Sequence, residues 1–182
     1  MTLKYLGEAT PDPALHCAAA VSAPLLLDVC ARRMQQGFSR IYQKELLQRL
    51  KRKLEGKRDL LEESGLTIVL AAIGSFVDFD DAYTAPAHGF DSAEHYYRIS
   101  SARQYLKNID RPTLILHARD DPFMTPEVLP SEQELSPGIR FELSDHGGHV
   151  GFIGGRGPAR LLPFHWLEPR LVDWLREQGF GC

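Results

Sequence analysis

Apolar positions along the chain change period several times. Met1, Leu3 and Leu6 recur at helical spacing with Lys4 near their end, so the first eight residues read as the end of a helix with Gly7 as its C-cap. No capping residue stands ahead of that pattern, which implies that chain normally comes before it. After a turn at Thr10-Pro11-Asp12-Pro13, the stretch from His16 to Pro24 is a run of small apolar residues between prolines. It fits a strand of a parallel sheet, apolar on both faces, or a buried helical turn, since alanine is a poor strand former. From Leu25 to about Glu63 the period is helical, with Leu46, Leu47, Leu50 and Leu54 forming an apolar stripe. Gly65 to Val77 is apolar without a settled period. Asp91 or Ser92 then caps a helix expected from Ala93 through about Leu106.

The last third alternates more cleanly. Pro112 to Ala118 is an apolar run of strand length, followed by a proline-containing loop from Arg119 to Pro130 and a short helix at Glu132–Leu135. Ile139 to Leu143 alternates apolar with polar, as a strand near a sheet edge should. The turn His146-Gly147-Gly148-His149 and a second loop lead to a closing amphipathic helix that carries Leu167, Leu171, Val172, Trp174 and Leu175 and stops near Gly179. Strands alternating with helices predict an α/β layered domain, a mostly parallel sheet flanked by helices, spanning residues 1–182.

The chain has 182 residues, 43% apolar and 25% charged, enough for one domain with a real core. That composition excludes a disordered chain, a collagen-like repeat and a disulfide-stapled mini-protein. A net charge of −3 provides no global field for nucleic acid or an anionic membrane, so no nucleic-acid partner is expected. The segment Arg32–Arg58 is different, with a net charge of +8. It reads either as an anion or membrane-surface patch or as a solvated helix face. Cys17, Cys30 and Cys182 lack metal-ligand spacing and imply a reducing compartment. The apolar runs are too short for a membrane span, and charged residues interrupt any signal-peptide core at the N-terminus. The chain is expected to be cytoplasmic and soluble.

Two loops that directly follow predicted strands carry candidate chemistry. Asp120 and Asp121 emerge in Arg119-Asp120-Asp121-Pro122-Phe123, at the strand end where ligands gather in open α/β sheets. In the next such loop the paired glycines present His149 with little bulk beside it. A carboxylate and an imidazole in this order fit the orienting acid and general base of nucleophilic catalysis, because the carboxylate fixes the tautomer and stabilises the imidazolium. Asp-Asp-Pro is equally a common structural turn. A metal site at His146 and His149 is disfavoured, since Gly147-Gly148 precludes a helix and no third ligand is close in sequence.

Several longer motifs carry a resemblance. Leu3-Lys4-Tyr5-Leu6-Gly7-Glu8, Gln36-Gly37-Phe38-Ser39-Arg40-Ile41-Tyr42, Phe79 to Pro86 with His88-Gly89-Phe90, and Tyr96-Tyr97 stand in order ahead of Ala118 to Phe123 and His146 to Phe152. Together they resemble the YheT-like branch of the α/β-hydrolase superfamily over nearly the whole chain. The resemblance implies the C-terminal part of an α/β-hydrolase fold. It also implies a Ser–His–Asp hydrolase of carboxylic esters, acting without a cofactor on a small-molecule acyl ester or a lipid-like one. Asp121 matches the family's acid, with Asp120 the neighbour able to take its place; His149 matches the catalytic histidine, and His146 shapes the loop. Residues 25–79 fall where such proteins carry a helical cap, whose leucine stripe would face the acyl chain or the sheet.

One departure stands out. The family's nucleophile sits on a Gly-x-Ser-x-Gly elbow just before the helix that here begins at Met1, and no such motif occurs elsewhere in the sequence. The oxyanion-hole donors of that region are missing as well. The expectation is a hydrolase fragment that does not turn over p-nitrophenyl esters by itself. The alternatives are a non-catalytic interaction module working through the Arg32–Arg58 face, or an acyltransferase in the full-length form.

Overall fold

Thr113–Ala118 is apolar along its whole length, and all six residues are buried. In the computed structural model, which describes residues 1–8, 12–156 and 163–181, this segment is the middle strand of a three-stranded parallel sheet. The strands are β1 (Ala18–Val21), β2 (Thr113–Ala118) and β3 (Ile139–Ser144), in the order β1-β2-β3. Thr113 pairs with Ile139 and Ala118 with Ser144, so β2 and β3 end side by side. Val21 pairs with Leu116, which sets the turn after β1 beside the last residues of β2.

The chain divides into two compact units, the first made of residues 1–25 and 102–182 and the second of residues 26–101. In the first, Leu114, Leu116 and Ala118 alternate onto one face of β2 and pack with Phe152 and Trp174. Full burial of each of these leucines contributes roughly 1.5–3 kcal/mol. Trp174, on the closing helix Leu167–Glu177, also donates its indole N–H to the Ala18 carbonyl at 3.1 Å. This ties the helix to the far strand of the sheet.

Helix α1 (Thr2–Glu8) includes Gly7 rather than ending before it. A Cβ at Gly7 would lie 2.2 Å from the Tyr105 carbonyl oxygen. The glycine is there for close packing against the 3-10 turns of Ala102–Asn108, not for capping. Where a loop was expected after Phe152, the antiparallel pair β4 (Ile153–Arg156) and β5 (Pro163–His165) forms. Gly154 and Gly155 give no local strand signal, so only the pairing reveals it. Residues 157–162 of that loop, part of the turn at Thr10–Pro11, and Cys182 lie outside the described residues.

The second unit is helical. Helix α2 (Leu27–Met34) precedes α3 (Ser39–Glu55) and α4 (Arg58–Glu63). Then come α5 (Phe76–Phe79), a π-helical turn (Asp80–Thr84), α6 (Ala85–Ala87) and α7 (Ala93–Ser100). The leucine stripe of α3 is used within this unit, where Leu47 and Leu54 are buried against Ile73 and Phe79. Ser92 caps α7 by accepting the His95 N–H at 3.1 Å, and the helix stops six residues short of Leu106, at Ser100. Ser101 there turns extended, and its hydroxyl accepts the Leu27 N–H at 3.0 Å. Among the described residues, no helix is long and apolar enough to cross a membrane.

Candidate active site

The strand pairing brings the two candidate loops together. Asp121 follows β2 by three residues and is 4% exposed. Its Oδ1 accepts the Phe123 N–H at 2.9 Å, an Asx turn that holds the carboxylate in one orientation. Its Oδ2 lies 2.9 Å from Nδ1 of His149. With a carboxylate at Nδ1, the neutral imidazole carries its proton there and leaves the Nε2 lone pair free to accept another. The Phe123 ring packs edge-on to the imidazole at 4.7 Å and confines it from the side. His149 is partly exposed, its side chain retaining 33% of its accessible surface.

Asp120 does something else. Its Oδ1 accepts the N–H groups of Gly147 at 2.9 Å and Gly148 at 2.8 Å, and its Oδ2 is 3.5 Å from Nδ1 of His146. The Gly148 amide foremost, then that of Gly147, holds its carboxyl below the usual range. Asp120 thus buckles the histidine loop to the end of β2. His146 itself points into solvent, while Ser144 donates its hydroxyl to the His146 carbonyl at 2.5 Å.

The histidine loop is under backbone strain. Gly148 has φ +57°, which costs glycine nothing, but Val150 at +58° and Phe152 at +38° occupy a region that side chains avoid. Ser22, at the end of β1, has φ +49° and is buried. Its Oγ accepts the Val150 N–H at 3.3 Å, so the turn after β1 braces the residue that follows His149. Strained residues of this kind each cost about 1–3 kcal/mol and cluster where geometry serves function. Gly147 is required by space, since a Cβ would meet the Phe152 ring at 2.8 Å and the Ala118 Cβ at 2.9 Å.

His117 is the polar residue that pattern reading missed. It lies in β2 and is 1% exposed, and among the described residues neither ring nitrogen has a hydrogen-bond partner. The backbone of Ala23 acts on it without reaching hydrogen-bond geometry. Burial pushes its pKa down, the Asp121 carboxylate opposes this, and the neighbouring His149 adds to the lowering. Ser22 was missed too, because nothing local distinguishes a serine held at positive φ. Among the described residues, no three side chains of metal-binding type converge.

This geometry can be set beside known proteins. The family model described as alpha/beta hydrolase fold matches residues 3–155. YheT of Escherichia coli (strain K12), an esterase by name, is 46% identical over 90% of this chain and 48% of its own length. Medium-chain fatty acid ethyl ester synthase/esterase 2 of Saccharomyces cerevisiae is 31% identical, over 84% of this chain and 39% of its own. Phospholipase ABHD3 of Mus musculus is 27% identical, over 98% and 44%. The chain spans less than half the length of each of these three relatives. The match over residues 3–155, on a parallel sheet with both candidate loops at its carboxyl end, places the chain in the α/β-hydrolase family.

Proposed function

We propose that Asp121 and His149 are the acid and base of a serine-type hydrolysis of carboxylic esters. The observation that carries this reading is the 2.9 Å contact between a buried Asp121 oxygen and His149 Nδ1, with Nε2 on a partly exposed ring. In such a reaction Nε2 takes the proton of a serine hydroxyl as its oxygen bonds to the ester carbonyl carbon. The imidazolium then gives the proton to the leaving alcohol as the carbon–oxygen ester bond breaks. Water, deprotonated by the same nitrogen, releases the carboxylic acid and restores the serine. Asp121 stabilises the imidazolium at each stage and stays ionised itself.

The nucleophile is not assigned to any serine of this chain, which contains no Gly-x-Ser-x-Gly. The proposed part of the chain is thus the acid–base half of the machinery. Acyl esters, lipid-like ones included, are supported as the substrate class by the names of the yeast and mouse relatives. A second reading, acyl transfer to an alcohol, rests on the yeast relative's name, which joins synthase with esterase. Residues 25–79 are proposed as the cap-like insert of the domain. Three cysteines, an odd number without a disulfide framework in the sequence, support a cytoplasmic setting.

The test is complementation. The chain alone is expected to leave p-nitrophenyl butyrate at the buffer rate. Co-expressed with the part of Escherichia coli YheT that precedes the matched region, it should gain a hydrolase activity that His149→Ala abolishes. Complemented activity that survives both His149→Ala and Asp121→Asn overturns the assignment. Adding ethanol and analysing the products separates hydrolysis from transfer.

A further inference from the structure

The start of α3 shows water an apolar cluster where a helix of a soluble protein ordinarily turns its charged face. Phe38 is 67% exposed, Ile41 62% and Tyr42 47%, at the i, i+3, i+4 spacing that makes them neighbours. The Phe38 and Tyr42 rings meet edge to face at 5.7 Å. Beside them opens a groove of about 760 Å³ within the helical unit. Arg40, Lys44 and Lys51 line it, and no carboxylate is among its lining residues. Lys51 donates to the Ile73 carbonyl, which fixes its ammonium at the groove wall. Arg40 and Lys44 enter no ion pair among the described residues, and the nearby Glu45 is taken by Arg49 at 2.9 Å. The segment carries +8 in a chain whose net charge is −3, so the cations are concentrated here.

We propose that this face docks on an anionic phospholipid surface. The groove cations receive headgroup phosphates, and Phe38, Ile41 and Tyr42 enter the boundary between headgroups and acyl chains. Charge complementarity argues for an anionic partner, and the exposed apolar side chains argue for a lipid one. A nucleic acid would use the cations and aromatic rings but would leave Ile41, with neither a stacking plane nor a hydrogen-bonding group, uncovered. The proposal does not depend on the ester-hydrolase reading, since all these residues lie in the helical unit.

The experiment is flotation of the chain with phosphatidylcholine vesicles, with and without phosphatidylglycerol, over a range of salt. Binding is expected only with phosphatidylglycerol and should weaken as salt rises. R40Q/K44Q should lower the partition coefficient about 25-fold, at roughly a fivefold loss for each neutralised cation. F38S/I41S should weaken binding at both low and high salt. All four positions are on the outside of the helix, and unchanged circular-dichroism melting verifies that each variant is folded. The proposal fails if anionic vesicles do not carry the chain, or if R40Q/K44Q binds as the parent does. It fails equally if the face instead forms a dimer that F38S/I41S dissociates, or if the chain retards RNA while ignoring vesicles.

Discussion

Asp120 and Asp121 are adjacent in sequence, yet each anchors a different part of the histidine loop. Asp121 reaches the His149 ring through Oδ2, whereas Asp120 reaches the loop backbone at Gly147 and Gly148. The turn after β2 points successive side chains in different directions, so one carboxylate is buried beside the imidazole while the other stays near the surface.

That division predicts distinct consequences for the two amides. Asp121→Asn should shift the His149 tautomer, visible as a change in the Nδ1 and Nε2 shifts in long-range nitrogen–proton spectra. Asp120→Asn should leave the tautomer alone and loosen the loop, seen as faster amide exchange at Gly147 and Gly148. Asp121→Ala is expected to cost about 1.5–3 kcal/mol in denaturant unfolding, the range for a hydrogen bond to a charged group. A tautomer that responds equally to both amides contradicts the division.

Gly7 sets helix propensity against packing. Propensity alone makes Gly7→Ala stabilising by about 1 kcal/mol. The 2.2 Å approach to the Tyr105 carbonyl makes it destabilising, since a backbone atom cannot step aside as a side chain can. The melting temperature is expected to fall, and Gly147→Ala should lower it as well through the Phe152 and Ala118 contacts. A rise for Gly7→Ala refutes the packing explanation.

Arg103 holds Glu134 through two contacts of 2.6 and 2.8 Å, and with help from Ser131 brings its pKa from 4.5 down to about 2. A carboxyl with a depressed folded pKa binds protons more readily when unfolded. Its stabilisation is therefore complete above about 4.5 and is lost as the pH falls toward 2. Urea midpoints measured across that window should fall less steeply for Glu134→Gln than for the parent. Equal slopes for the two proteins count against the pair.

His117 is a buried imidazole with no hydrogen-bond partner among the described residues, and its pKa is lowered from 6.5 chiefly by burial. The unfolded chain again binds the proton more readily, so this group's contribution is present above about 6.5 and declines as the pH falls below it. His117→Leu should flatten that acid decline. It should also leave stability at neutral pH equal or raise it by about 1 kcal/mol, since an unsatisfied polar group is removed at nearly constant volume. Unfolding midpoints on either side of 6.5 measure both effects. A large loss at neutral pH would reveal a partner for the ring.

What the sequence by itself determined is the local grammar: a strand at the apolar run of β2, the alternation of β3, a helix cap at Asp91 or Ser92, and the two loops with their carboxylates and histidines. Period, turn chemistry and capping act within a few residues, and they can be read from neighbours alone. Only the tertiary structure decided what depends on distant partners. The Ala118–Ser144 pairing set the loops side by side, and the turn after β2 chose Asp121 over Asp120 for the His149 ring. The Tyr105 carbonyl explained Gly7, Ile73 and Phe79 took up the α3 leucines, and Ser22 came to brace Val150 across 128 residues. Burial and hydrogen bonding between segments far apart in the chain leave no periodic trace in either one, and so they are visible only once the chain is folded.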